Sequence, residues 1–140
     1  MTIYLDSSVV VSIFVKDDFG ARADAFLQQT QVPMVLADFA AAEFVSAIAR
    51  LRRTSYLTLP RAREVIANFD RWRPGNTLDT ETQPTDVRVA DAFLRRLDLV
   101  LRTPDAIHLA IAQRLGAKLA TFDDGMADCA RTLGFGVVAI

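Results

Sequence analysis

Short apolar runs alternate with longer segments of helical periodicity along this chain, and this alternation limits the fold more than any other feature. Each short run is suited to one buried strand, whereas the longer segments repeat apolar residues at intervals of three or four. Strands separated by helices pair in parallel, because a crossover helix returns the chain to the same end of the sheet. The pattern therefore predicts an α/β fold of three layers, α/β/α, with a central and mostly parallel sheet.

The predicted elements follow one another without a linker, a repeat or a low-complexity segment, so residues 1–140 are predicted to form one domain. Strands are predicted at 2–5, 32–36, 77–79, 118–122 and 135–140. Helices are predicted at 8–14, 20–30, 38–53, 60–72, 85–97, 103–115 and 125–133. Pro74 and Gly75 are expected to stop the fourth helix, and Thr103 to cap the sixth.

Composition narrows the class of protein. Of the 140 residues, 51% are hydrophobic, which is enough for the core of one domain. No segment approaches the roughly 20 apolar residues of a membrane span, and no basic region of a signal peptide opens the sequence. A single cysteine, Cys129, excludes internal disulfides and a zinc site built on cysteine. We therefore expect a cytoplasmic protein with no membrane partner.

Four carboxylates lie beside apolar segments, where an ionised side chain is costly unless it is paired. Asp6 and Asp123 follow the first and fourth predicted strands. Asp105 lies at a helix start on the same edge of the sheet, and Glu43 lies about one turn into the helix that follows the second strand. Because parallel sheets bind their ligands at the carboxyl ends of the strands, these four side chains are expected to converge there.

Four converging acids require a cation, because their mutual repulsion would otherwise raise the pKa of at least one of them. Oxygen ligands without cysteine or clustered histidine favour Mg²⁺ or Mn²⁺ over zinc. Such ions align a phosphodiester and activate the water that hydrolyses it. The sequence therefore indicates a metal site suited to phosphodiester chemistry.

Each acid also has a structural alternative. Asp6 and Asp123 are suited to cap the helices that follow them, and Asp105 to offset a helix dipole. Glu43 has no cation four residues on, but Arg50, two turns away, offers it a buried ion pair.

The residues around the acids leave further alternatives open. Ser7 and Ser8 are suited to a hydroxyl ligand, an outer hydrogen bond or an extended helix cap. His108, the only histidine, lies one turn after Asp105, and a packed role is more usual for such a residue than a catalytic one. Seven arginines against two acids give the segment 50–73 a local charge of +5, which suits either a phosphodiester strand or a solvated helical face.

The sequence resembles the PIN-domain family, and within it the VapC-type toxins of bacterial and archaeal toxin–antitoxin pairs. The matching segments, which span essentially the whole chain in order, are YLDSSVVV, ADFAAAEFVSAIAR, TPDAIHLAIAQRLGAKLATFDDGMA and GFGVVAI. The resemblance implies a Mg²⁺- or Mn²⁺-dependent endoribonuclease that forms a homodimer and is held inactive by a cognate antitoxin. The family's acidic quartet falls on Asp6, Glu43, Asp105 and Asp123. Asp6 and Asp105 would bind the first metal, and the other two would complete the site, orient the water or hold a second ion.

The fourth acid and the class of function each keep an alternative. Asp124 adjoins Asp123, although the family's strand–Thr–x–Asp pattern favours Asp123. A phospho-receiver-like regulatory module also gathers acids at strand ends, but here Asp6 stands alone after the first strand and Lys118 begins its strand instead of ending it. A catalytically silent PIN fold that serves only as a binding module is the remaining hypothesis.

Overall fold

Four parallel strands and seven helices make up the fold, which a computed structural model describes over residues 1–140. The strands are β1 (Ile3–Leu5), β2 (Met34–Ala37), β3 (Thr77–Thr80) and β4 (Lys118–Ala120). The helices are α1 (Ser7–Phe14), α2 (Gly20–Gln29), α3 (Asp38–Arg53), α4 (Leu59–Asn76), α5 (Pro84–Leu94), α6 (Thr103–Leu115) and α7 (Asp124–Thr132).

The strand order, β3-β2-β1-β4, places the functional edge of the sheet. All three strand pairs are parallel. Helices α1 to α4 carry the chain outward from β1 to β2 and β3, and α5 and α6 then return it to the opposite side of β1. Since the order reverses at β1, a crevice is expected between the carboxyl ends of β1 and β4. The predicted three-layer α/β/α fold is confirmed.

Helix α6 is buried on every side, as expected of a helix that is apolar all round. All residues from Ala106 to Ala112 are buried. The helix ends at Gly116, which adopts the left-handed conformation with φ of 62°. Its first residues face the carboxyl edge of the sheet, so α6 connects the core directly to the candidate site.

The prediction of a terminal strand at 135–140 is wrong. This segment forms a single bridge, between Leu119 and Val137. Alternate residues of a strand turn their backbone groups to opposite sides, and β4 has only three residues. Lys118 bonds to β1 and so does Ala120, which leaves only Leu119 to pair outward with Gly136 and Val138.

Two helix ends also differ from the prediction. Helix α4 continues through Pro74 to Asn76, because side chains satisfy the carbonyls of its last turn. Asn76 Nδ2 donates to the Trp72 carbonyl at 2.7 Å, and Thr77 Oγ1 donates to the Arg73 carbonyl at 3.1 Å. Helix α5 ends at Leu94, three residues early.

Helix α6 has the predicted bounds, but its N-cap is Arg102 and not Thr103. The backbone N–H of Arg102 donates to the Asp105 carboxylate, as in a capping box, and Pro104 occupies the first turn. Asp105 is therefore anchored at the helix start by the backbone of the preceding turn.

Candidate metal centre

The four acids singled out in the sequence, Asp6, Glu43, Asp105 and Asp123, line one open cleft of about 540 Å³ at the carboxyl edge of the sheet. Asp124 is not among the lining residues, because it begins α7. A larger cavity of about 690 Å³, between α2 and the last three residues, is lined by no acidic side chain. The candidate metal-binding side chains therefore line the smaller cleft and not the larger cavity.

Asp6 is the most buried of the four carboxylates. It is buried, and although it occupies the N-cap position of α1 its side chain makes no capping bond, so the cap proposed from the sequence is absent. Instead one carboxylate oxygen accepts hydrogen bonds from Ser8 Oγ at 2.7 Å and Thr121 Oγ1 at 2.8 Å. These bonds fix the Asp6 carboxylate without neutralising its charge.

The two hydroxyls that hold Asp6 also join the ends of β1 and β4. Ser8 Oγ accepts from the Phe122 N–H at 3.1 Å, and Thr121 Oγ1 accepts from the Asp123 N–H at 3.0 Å. Ser8 thus makes the outer hydrogen bond that was one of its sequence alternatives. Thr121 was missed as a supporting residue, and its signal was a hydroxyl side chain at the carboxyl end of a buried strand.

Glu43 pairs with His108 and not with Arg50. The Nε2 atom of His108 is hydrogen bonded to the Glu43 carboxylate, and it also lies 3.6 Å from an oxygen of Asp6. No ion pair joins Glu43 to Arg50, so the buried pair suggested by the sequence is absent. Glu43 and Asp6 therefore both lie next to Nε2 of His108, a residue whose role the sequence left open.

Asp105 is half-buried and carries a perturbed carboxyl group. Burial raises the pKa of Asp105, the Arg102 N–H at 3.2 Å acts against this, and the negative charges of Asp123 and Asp6 raise the pKa further. A carboxyl whose ionised form is disfavoured by neighbouring carboxylates is one that a cation would stabilise.

Asp123 has a structural role in addition to its place in the cleft. One of its carboxylate oxygens accepts from the Met126 N–H at 3.0 Å and caps α7, as its sequence alternative proposed. The other oxygen makes no hydrogen bond to the protein. Capping therefore orients Asp123 and leaves one oxygen free for the cleft.

A fifth acid, Asp17, also lines the cleft and was missed in the sequence, where it lies in a polar loop with no strand end to mark it. Its oxygens accept from Ser12 Oγ at 2.8 Å and the Phe19 N–H at 2.9 Å, so both already have partners. Arg102 is the one Lys or Arg side chain among the lining residues. Five acids against one base give the cleft a strongly negative charge.

The donor set fits a hard divalent cation. Ligand atoms of Asp6, Glu43 and His108 lie within 4.8 Å of one another. Asp105 and Asp123 line the same cleft outside that group, each with one carboxylate oxygen that makes no hydrogen bond to the protein. Carboxylate and hydroxyl oxygens are the ligands that such ions prefer.

Comparisons with known proteins identify the family of the chain. The sequence model of the PIN domain matches residues 3–131. Ribonuclease VapC46 of Mycobacterium tuberculosis is 36% identical over 140 residues, with 98% of this chain and 96% of that protein covered. Among solved structures, VapC20 of Mycobacterium tuberculosis, described as a sarcin-ricin loop cleaving toxin, superposes with a TM-score of 0.76 at 17% identity, covering 99% of each chain. A toxin–antitoxin complex from Klebsiella pneumoniae gives a TM-score of 0.57 at 17% identity, covering 88% of this chain and 93% of that one.

The chain belongs to the PIN-domain family, and within that family it is of the VapC toxin type. The family, the fold and the toxin-ribonuclease class predicted from the sequence are confirmed, and the phospho-receiver alternative is excluded.

Proposed function

We propose that this protein hydrolyses RNA as a Mg²⁺- or Mn²⁺-dependent endoribonuclease, with Asp6, Glu43, Asp105 and Asp123 as its catalytic and metal-binding residues. The observation that carries the proposal is the convergence of these carboxylates on one cleft around Asp6, whose charge is held only by hydroxyls. A bound divalent ion would supply charge neutralisation, alignment of the phosphodiester and a more acidic water.

The residues of the chain divide the work according to their surroundings. Asp6 and Asp105 are the direct ligands in this proposal, because Asp6 is fixed by two hydroxyls and Asp105 is a half-buried acid whose raised pKa a cation would lower. Glu43 and Asp123, each held by a single hydrogen bond, orient the attacking water or complete the ligand set. Asp124 has no part in the site.

An RNA strand has a basic path into the cleft. A neighbouring cavity of about 380 Å³ shares Ser7 and Glu43 with the cleft and is also lined by Arg50 and Arg53. Neither arginine makes an ion pair. They are therefore available to bind phosphates next to the scissile bond.

The rest of the arginine-rich segment serves the helix surface. Arg61 pairs with Glu64 at 2.9 Å, and Arg73 pairs with Asp79 at 3.0 Å. Only the first part of the basic segment predicted from the sequence thus adjoins the acidic cleft. Most of the other arginines are exposed, as in the solvated-face alternative: Arg52, Arg61, Arg63 and Arg71.

The proposed partners are those of a toxin–antitoxin pair, with a cognate antitoxin that blocks the cleft and a second copy of the chain as a homodimer. The solved relative from Klebsiella pneumoniae is itself a toxin–antitoxin complex.

No helix is long and apolar enough to cross a membrane, and we propose that the protein acts in the cytoplasm. Light scattering after size exclusion should give twice the 15.4 kDa chain mass, and a monomer at all concentrations would contradict the dimer.

RNA cleavage by the purified protein tests the proposed activity. Cleavage should require Mg²⁺ or Mn²⁺, stop with a chelator and return when the ion is restored. Asp6→Asn and Asp105→Asn should each lower the rate at least about a hundredfold, since the ion contributes several kcal/mol to the transition state. Full cleavage in chelator, or by Asp6→Asn protein free of wild type, would disprove the proposal. Metal binding without any cleavage would support the silent PIN fold instead.

A further inference from the structure

A buried histidine links the core to the acidic cleft. His108 is 1% exposed on α6, and the hydroxyl of Tyr4, on β1, lies 2.7 Å from its Nδ1. Its other nitrogen, Nε2, is hydrogen bonded to the Glu43 carboxylate. The Phe39 ring and the imidazole pack in a T-shaped arrangement with their centroids 5.2 Å apart, which holds the imidazole plane. The imidazole is thus fixed on three sides.

The partners of the imidazole determine which of its nitrogens carries the proton. The Tyr4 hydroxyl, which can donate, lies beside Nδ1, whereas the Glu43 carboxylate, which can only accept, lies beside Nε2. The phenol O–H therefore donates to Nδ1, and Nε2 carries the proton that the Glu43 carboxylate accepts. The opposite tautomer would direct an Nε2 lone pair at a carboxylate oxygen, which is repulsive.

We propose that His108 is a positioning residue: its Nε2–H holds the Glu43 carboxylate towards the cleft, and Tyr4 fixes the tautomer that makes this possible. The inference rests on the function proposed above. His108 makes the only protein hydrogen bond to the Glu43 side chain, which is otherwise a flexible chain at the cleft wall. In this proposal Nε2–H remains bonded to Glu43, so His108 acts through that carboxylate and is not itself a metal ligand.

The first test is the tautomer in the metal-free protein. His108 is the only histidine in the chain, so ¹⁵N NMR of the untagged protein reports on this side chain without assignment. The inference predicts a protonated Nε2 and an unprotonated Nδ1, with the preference weakened in Tyr4→Phe. A protonated Nδ1 with a bare Nε2 would overturn it.

The second test is Mn²⁺ affinity, measured calorimetrically in the absence of RNA. His108→Leu should weaken Mn²⁺ binding by about 10- to 100-fold, the usual effect of removing an outer-shell partner. His108→Gln, whose amide N–H can replace Nε2–H, should stay within about threefold of wild type, and Tyr4→Phe should lie between the two. Equal losses in His108→Gln and His108→Leu would overturn the inference in favour of direct ligation.

A double-mutant cycle separates positioning from a merely structural role. In a Glu43→Gln background, His108→Leu should weaken Mn²⁺ binding no further, because the residue acts through Glu43. Additive losses would overturn the inference. Leu109→Ala, a core truncation on the same helix, controls for lost packing: it should lower the thermal midpoint and leave Mn²⁺ affinity unchanged.

These measurements distinguish the inference from the proposed function. If Mn²⁺ binds and the cycle shows coupling while RNA is not cleaved, His108 still positions Glu43 and only the ribonuclease proposal fails. If wild-type protein binds no Mn²⁺, both fail.

Discussion

Asp6 and Asp86 are the two buried carboxylates of the molecule, and their surroundings differ in kind. Asp86 accepts two bonds from the Arg114 guanidinium, at 2.8 and 2.9 Å, so its charge is neutralised by an ion pair. Asp6 accepts only from hydroxyls. Burial alone therefore does not identify a site; a buried carboxylate that lacks a protein cation does.

The neighbouring acids Asp123 and Asp124 provide a matched comparison at the residue scale. Asp123→Asn preserves the helix cap, because asparagine caps as well as aspartate, but removes a charge from the cleft. We expect its RNA cleavage rate to fall at least about tenfold, because the loss of an acid that orients the water raises the activation barrier by at least about 1.4 kcal/mol. Asp124→Asn removes the same charge outside the cleft and should cleave at the wild-type rate.

Cleavage assays on the two variants, with circular dichroism to verify folding, decide the assignment. A loss confined to Asp124→Asn would transfer the fourth position to Asp124.

At the scale of elements, the ion pair of Asp86 and Arg114 joins α5 to α6. It differs from the surface ion pairs because the Asp86 carboxylate is buried. Arg114→Met leaves the Asp86 charge buried and unpaired, and we expect it to lower the free energy of unfolding by about 3 kcal/mol. Arg131→Met breaks the exposed pair with Asp128 and should cost less than about 1 kcal/mol. Urea denaturation of both variants tests this, and equal effects would contradict it.

The same ion pair predicts a pH dependence of stability. Burial acts to raise the pKa of Asp86, but the Arg114 and Gln83 hydrogen bonds outweigh it and leave the pKa lowered. A carboxyl with a lowered folded-state pKa contributes stability above its unfolded pKa of about 3.9, and that contribution disappears as the pH falls through the folded value.

Asp86→Asn should therefore flatten the loss of stability below about pH 4. Urea midpoints between about pH 6 and 2.5, in chelator, measure the slope over this range. An unchanged slope would contradict the ion-pair explanation.

The sequence predicted elements well where local chemistry decides them and poorly where tertiary pairing does. Helix α6 was predicted to end at Gly116 because a left-handed residue stops a helix locally. The prediction of a terminal strand was wrong, because a sequence does not reveal how many backbone groups of β4 are free to pair with it.

In the site, strand ends located Asp6 and Asp123. The contacts of His108 with Tyr4 and Glu43 span 104 and 65 residues, and no periodicity marks such a pair.

At the scale of the whole molecule, the negative cleft would bind the metal ion and the neighbouring basic cavity would bind the phosphates of the RNA strand. Replacing Arg50 and Arg53 with glutamine should weaken RNA binding and reduce the slope of log K against log salt by about 1.4, or 0.7 for each single-strand phosphate contact. The matched control replaces Arg61 and Arg63 on α4, which changes the net charge equally but lines neither cavity. Titrations of RNA into catalytically inactive protein at several salt concentrations test this, and equal slopes in both variants would contradict the proposed path.

The central claim is that the four carboxylates form one metal centre, and an anomalous difference map from crystals containing Mn²⁺ tests it most directly. We predict a peak in the cleft within about 2.0–2.4 Å of carboxylate oxygens of Asp6 and Asp105, the range for hard cations on oxygen. The peak should be absent from Asp6→Asn crystals grown in the same way. An empty cleft at saturating Mn²⁺, or a peak bound away from these residues in protein that still cleaves RNA, would contradict the claim.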